Sequence, residues 1–254
     1  MSFDARWTPW GRLMLFVAAL ATGGAAAVET TLPATDPEVV RWEKEIAALE
    51  ALDQTEVDPA EAILFIGSSS IRLWDTLAAD LAPWPVIRRG YGGARYRDLC
   101  HFASRLVAAH DPRGIVVFVA NDITSPADSP SAEQVMLDVR AMLGAIRACH
   151  PDVPVLFVAV TPTESRWQAW PQIEQLNEAL ADLAATEPET CFIATAERFL
   201  DPATGRPSPN LFRHDKLHLS PAGYRIWAEL ISAALEAEFG AATGNAAGIM
   251  APGL

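Results

Sequence analysis

A chain of 254 residues with a formal charge of −13 has room for one well-packed domain and little for a second. The acidity excludes nucleic acid and an anionic membrane surface as main partners, because both would repel it. Three cysteines, Cys100, Cys149 and Cys191, are widely spaced without a C-x-x-C pattern; they read as buried free thiols, with at most one internal pair.

In chain order, residues 1–27 read as an export signal. Arg6 and Arg12 precede the apolar run Leu13–Leu20, and Ala25-Ala26-Ala27 supplies a small-residue cleavage site. The run is short for a membrane span of roughly 20 residues. The expected product is a periplasmic or secreted chain without stable membrane insertion. Cleavage after Ala27 removes one acidic and two basic residues, which moves the charge from −13 to −14. Residues 28–36 form a leader, 37–239 a single domain, and 240–254 a Gly/Ala-rich tail expected to be disordered.

Within the domain, Val40, Ile46, Leu49 and Leu52 recur at helical spacing and predict a helix from 37 to about 53. Five short apolar runs, 61–67, 85–89, 114–120, 153–160 and 190–195, read as strands. The segments 70–81, 96–109, 131–149, 171–186 and 220–238 read as helices. Apolar strands without strict alternation, each followed by a helix, predict an α/β fold: a doubly wound domain whose five-stranded parallel sheet is covered on both faces. Ligands bind such sheets beyond the carboxyl ends of the strands, and four polar segments fall there.

The first is Ile63-Leu64-Phe65-Ile66-Gly67-Ser68-Ser69-Ser70. Ser69 lies where a buried strand gives way to a helix N-terminus, a setting that favours negative charge. A serine there is also an ordinary N-cap, and three consecutive serines leave the choice of nucleophile open. In Arg89-Gly90-Tyr91-Gly92-Gly93 the missing side chains let a backbone N–H approach a ligand oxygen, or serve only a tight turn. Asn121 follows the run Ile115–Ala120; its amide either donates into the crevice or stops the strand as an Asx-turn, with Asp122 buttressing that turn. In Asp215-Lys216-Leu217-His218 a carboxylate three residues before a histidine can orient the imidazole toward a serine. Of the five histidines only His218 has this setting. His214 and His218 are four apart but lack a third ligand, so no metal is expected, and the chemistry needs no organic cofactor.

These segments, in this order across roughly residues 61–225, resemble the SGNH or GDSL-like hydrolase family. The resemblance implies a serine esterase with Ser69 as nucleophile, His218 as base and Asp215 as acid. It also implies an oxyanion hole made by Ser69, Gly93 and Asn121. Two departures stand out. Ser68 occupies the position of the family's usual aspartate, which touches a supporting hydrogen bond. The family's third segment usually reads Gly-x-Asn-Asp, and Val119-Ala120-Asn121-Asp122 lacks the glycine, with alanine there narrowing the crevice slightly. The alternative serine-hydrolase elbow, Gly-x-Ser-x-Gly, fails because Ile71 stands at its second glycine.

Trp167 and Trp170 follow the fourth strand at the same sheet edge; they either line a substrate pocket or cover the sheet. The expected substrate is a small-molecule or glycan ester with a short acyl or acetyl group. Thioester cleavage and acyl transfer use the same residues, and a noncatalytic binding module on the same fold is the alternative of another class. The sequence carries no signal for oligomeric state.

Overall fold

The structure, a computed structural model, describes residues 36–241. The segment read as an export signal, all but the last residue of the expected leader, and the tail beyond residue 241 lie outside the described residues. The elements run α1 Pro37–Val40, α2 Glu43–Asp53, β1 Ile63–Gly67, α3 Ser69–Arg72, α4 Leu77–Asp80, β2 Val86–Gly90, α5 Tyr96–Val107, β3 Gly114–Phe118, α6 Ala132–Cys149, β4 Val155–Val158, α7 Trp170–Thr186, β5 Thr190–Ile193 and α8 Pro221–Phe239. Short 3₁₀ turns cover Glu164–Ala169, Ala196–Phe199 and Pro209–Leu211.

All five strands pair in parallel, in the order β2-β1-β3-β4-β5. Successive side chains of a strand point to opposite faces, and β1 supplies both halves of the core. Leu64 and Ile66 face Leu99 and Phe102 of α5, Val139 of α6 and Ile173 of α7. Ile63 and Phe65 face Ile71, Trp74 and Trp227, on the side of α3 and α8. Full burial of such a side chain stabilises the fold by about 1.5–3 kcal/mol. This two-sided cover explains why the strands read as unbroken apolar runs. The chain moves outward from β1 to β2 and then returns past β1 to β3, so the loops after β1 and β3 diverge at a switch point and leave a crevice between them.

The expected helix over 37–53 is two helices. The chain turns at Arg41–Trp42, and the Trp42 indole packs edge-on to Tyr91 with ring centroids 5.4 Å apart. The segment 70–81 is likewise divided into α3 and α4. Between them Trp74 is completely buried, stacks on Tyr224, and donates its indole N–H to Asp80 at 2.7 Å. β3 ends at Phe118 and β4 at Val158, earlier than the apolar runs, because the residues beyond leave the ladder to build the sheet edge. The three cysteines are free; Cys100 is buried, whereas Cys149 and Cys191 are only half-buried.

Candidate active site

Gly67 closes β1 at φ +128, where a Cβ would stand 2.0 Å from the Phe118 carbonyl oxygen. This close approach carries the β1–β3 pairing one step further, with the Ser68 N–H donating to that same oxygen at 2.8 Å. Ser68 is buried and forms the N-cap position of α3 without a capping side-chain bond. Ser70 is buried, and its carbonyl accepts from the Tyr224 hydroxyl at 2.8 Å. Ser69, the first residue of α3, turns its Oγ to His218 Nε2 at 3.0 Å. Of the three serines, it is the one in reach of the imidazole.

His218 sits on a tight loop closed by its own carbonyl, which accepts from the Arg213 N–H at 2.7 Å. Lys216 takes the left-handed conformation there, at φ 58. Asp215 Oδ2 lies 2.7 Å from His218 Nδ1, and Asp215 Oδ1 accepts the Leu217 and His218 backbone N–H groups, each at 3.0 Å. Burial raises the Asp215 carboxyl, but these three hydrogen bonds outweigh it and hold the group down at about 2. An ionised Asp215 fixes the proton on Nδ1. Nε2 is thereby left as an acceptor for the Ser69 hydroxyl.

On the other side of the crevice, Asn121 donates from Nδ2 to the Ala94 carbonyl at 2.9 Å, while its Oδ1 accepts from Arg166 Nη2 at 2.6 Å. Arg166 also donates from Nη1 to the Ala120 carbonyl. Asp122 is buried, and both of its oxygens accept from the Tyr96 N–H that opens α5, at 3.0 and 3.2 Å. Burial pushes the Asp122 carboxyl up to about 7 against the pull of that N–H. The buttressing expected of Asp122 is directed to the start of α5.

Gly93 lies at φ +74 next to Ala94, and a Cβ on it would stand 3.1 Å from the Trp42 indole. It does not line the small cavity at Ser69 directly; its tie to the site is the Asn121–Ala94 bond.

That cavity has a volume of about 20 Å³, and its walls include Ser69, Phe118, Asn121, Val160, Arg166 and His218. This is room for little more than one ordered water. Trp167 and Trp170 do not line it. They stack on each other with centroids 6.0 Å apart and planes 7° from parallel. Trp170 is in the core at 8% exposure, and the Arg206 guanidinium lies 4.6 Å from the centroid of Trp167. Sheet cover, the second of the two sequence readings, describes Trp170. Arg166, which had no assigned role, is the residue of this segment that enters the cavity. Its partners lie 45 and 46 residues away, so no local pattern marks it; the one available signal is a lone arginine in a turn beyond a strand's carboxyl end. Among the described residues no group of three or more His, Cys, Asp or Glu side chains could hold a metal ion.

The family model described as GDSL-like lipase/acylhydrolase matches residues 66–226, from the end of β1 into α8. The chain belongs to this family. It is therefore an ester-hydrolysing enzyme, and the match spans every residue of the site except the Trp42 support. A search of curated proteins gives no match. Solved structures do match. A Streptococcus pneumonia protein aligns with a TM-score of 0.68 at 19% identity, over 78% of this chain and 94% of that one. A GDSL-like lipase from Bacteroides thetaiotaomicron aligns at 0.62 and 18% identity, over 76% and 98%. A variant of an acetyl-xylooligosaccharide esterase from Geobacillus stearmophilus aligns at 0.55 and 17%, over 69% and 94%. At these identities the likeness is one of fold, and it places the GDSL-like hydrolase architecture on the whole sheet.

Proposed function

We propose that this enzyme is an exported esterase that hydrolyses short-acyl esters, acetyl esters of carbohydrates above all, through an acyl-serine intermediate on Ser69. The observation that carries the reading is the continuous line from Ser69 Oγ to His218 Nε2 at 3.0 Å and from His218 Nδ1 to Asp215 Oδ2 at 2.7 Å. As Ser69 Oγ attacks the ester carbonyl carbon, its proton passes to Nε2. Asp215 holds the tautomer and stabilises the imidazolium, which then gives the proton to the departing alcohol. Water repeats the sequence on the acyl-serine, and the acid leaves.

The tetrahedral oxyanion is assigned two donors that line the cavity, the Ser69 N–H at the open end of α3 and the second N–H of Asn121 Nδ2; the family resemblance adds the Gly93 N–H, which does not line it. The narrowness of the crevice beside Ser69, about 20 Å³, favours a short acyl group. The fold likeness to an acetyl-xylooligosaccharide esterase supports a glycan as the alcohol. Export rests on the Arg-flanked apolar run and Ala25-Ala26-Ala27.

A fluorophosphonate probe, peptide mass spectrometry and a panel of p-nitrophenyl esters test the reading. The expected result is labelling at Ser69, turnover highest with acetate and falling with acyl length, and neither labelling nor turnover in Ser69→Ala. Labelling at Ser68 or Ser70 overturns the assignment of the nucleophile. Folded protein without labelling or turnover overturns the catalytic reading.

A further inference from the structure

We infer that Arg166 is a positioning residue of the oxyanion site: it sets which end of the Asn121 amide faces the reacting carbonyl. The inference rests on the esterase reading above. An asparagine has a donating end and an accepting end, and only the donating end stabilises an oxyanion. Here each end has a partner that refuses the other. Arg166 has no acceptor to offer Asn121, so its Nη2 at 2.6 Å selects Oδ1. The Ala94 carbonyl at 2.9 Å cannot donate, so it selects Nδ2. Turning the amide over sets N–H against N–H and oxygen against oxygen. Of the two hydrogens on Nδ2, Ala94 takes one and the other is left for the crevice.

Arg166 also fixes the backbone beneath this amide, because Nη1 donates to the Ala120 carbonyl. Its own turn is anchored to the triad loop by the Ser165 N–H, which donates to the Lys216 carbonyl at 3.3 Å. One short segment therefore ties the oxyanion donor to the loop carrying Asp215 and His218. Both Arg166 hydrogen bonds end on neutral oxygens, and burial lowers its pKa against the pull of the Asp122 charge. A partly buried cation held on neutral dipoles costs stability. It lines the cavity with Ser69 and His218, where negative charge develops during acyl transfer.

The test is a double-mutant cycle on p-nitrophenyl acetate hydrolysis with Arg166→Met, Asn121→Ala and the pair, each variant checked for cooperative thermal unfolding. Arg166→Met is expected to lower kcat about 30- to 100-fold, up to the lower end of the range of about 10²–10³ for a lost oxyanion donor because the amide is misdirected and not removed, with KM changed less than about threefold. In the Asn121→Ala background the same substitution is expected to cost less than about threefold, since its effect passes through Asn121. Arg166→Lys keeps the charge with a different donor geometry and is expected to lose about tenfold; it stands in if Arg166→Met does not fold. Unchanged kcat in a folded Arg166 variant, or a loss equally large with and without Asn121, overturns the role of Arg166. Full turnover in Asn121→Ala alone instead overturns the oxyanion assignment on which it rests.

Discussion

Two aspartates hold the two sides of the crevice, and they do so in opposite physical states. Asp215 has a side chain 48% exposed, accepts three hydrogen bonds, and is held down at about 2. Asp122 is buried, accepts one N–H, and is pushed up to about 7. The first keeps its charge and uses it to orient an imidazole. The second fixes an angle between the Asn121 turn and the start of α5. A carboxylate that must stay charged is kept near water and given donors; one that only locks a turn can be buried.

The comparison predicts that Asp215→Asn acts on chemistry and Asp122→Asn on stability. The largest effects belong to the exposed side. Ser69→Ala and His218→Ala should leave turnover at background, and Asp215→Asn should lower kcat by about 10⁴-fold, the scale for a wrong tautomer in a triad. Asp215→Asn also gives up the stability that the charged carboxylate contributes above pH 3.8, so a modest fall in Tm at neutral pH is expected, discounted because the side chain is half exposed; a variant unfolded at the assay temperature would make Asp215 a structural group and erase the contrast. Next in size is Asn121→Ala, expected to cost about 10²–10³ in kcat on steady-state assay.

On the buried side the sign of the pH dependence distinguishes the two acids. Asp122 ordinarily titrates at 3.8 and here near 7, so the folded state binds the proton more tightly than the unfolded state. Its contribution is fully present below pH 3.8 and is lost as pH rises toward 7. Asp98, raised to about 6 by burial, acts in the same direction. Asp215 acts in the opposite one: its stabilisation is present above pH 3.8 and is lost as pH falls toward 2. Denaturant midpoints at several pH values should therefore show a flatter neutral limb in Asp122→Asn and a flatter acid limb in Asp215→Asn. Reversed changes would break the comparison. The smallest effect is expected at Trp167→Ala, whose ring meets Trp170 and Arg206: less than about threefold in kcat for an acetyl ester, within the usual size of a surface change.

The sheet was legible because each strand is covered on both faces, and burial of that kind leaves an apolar run that needs no partner to be recognised. The Asp215–His218 hydrogen bond was legible because the two residues are three apart and carry their geometry with them. Legibility failed where a long-range contact overrides local periodicity. Trp42 breaks a helical pattern to reach Tyr91 and Gly93, and Trp74 divides another to fill the space beside Trp227. Arg166 was legible as a residue at the right edge but not as a partner of Asn121, since hydrogen bonds across 45 positions leave no local spacing to read. Trp167 and Trp170 illustrate the converse: two aromatics three apart in sequence found each other rather than the crevice.

The Trp42 indole has a practical consequence for anyone expressing this enzyme. The family match begins at residue 66, while the ring that lies against Gly93 comes from 24 residues before it. A gene trimmed to the borders of sequence similarity would still encode Ser69, Asn121, Asp215 and His218, yet it would remove the wall behind one proposed donor and expose Tyr91 and Gly93 to solvent. The working unit of this hydrolase is longer at its N-terminal end than the stretch by which its kinship is recognised.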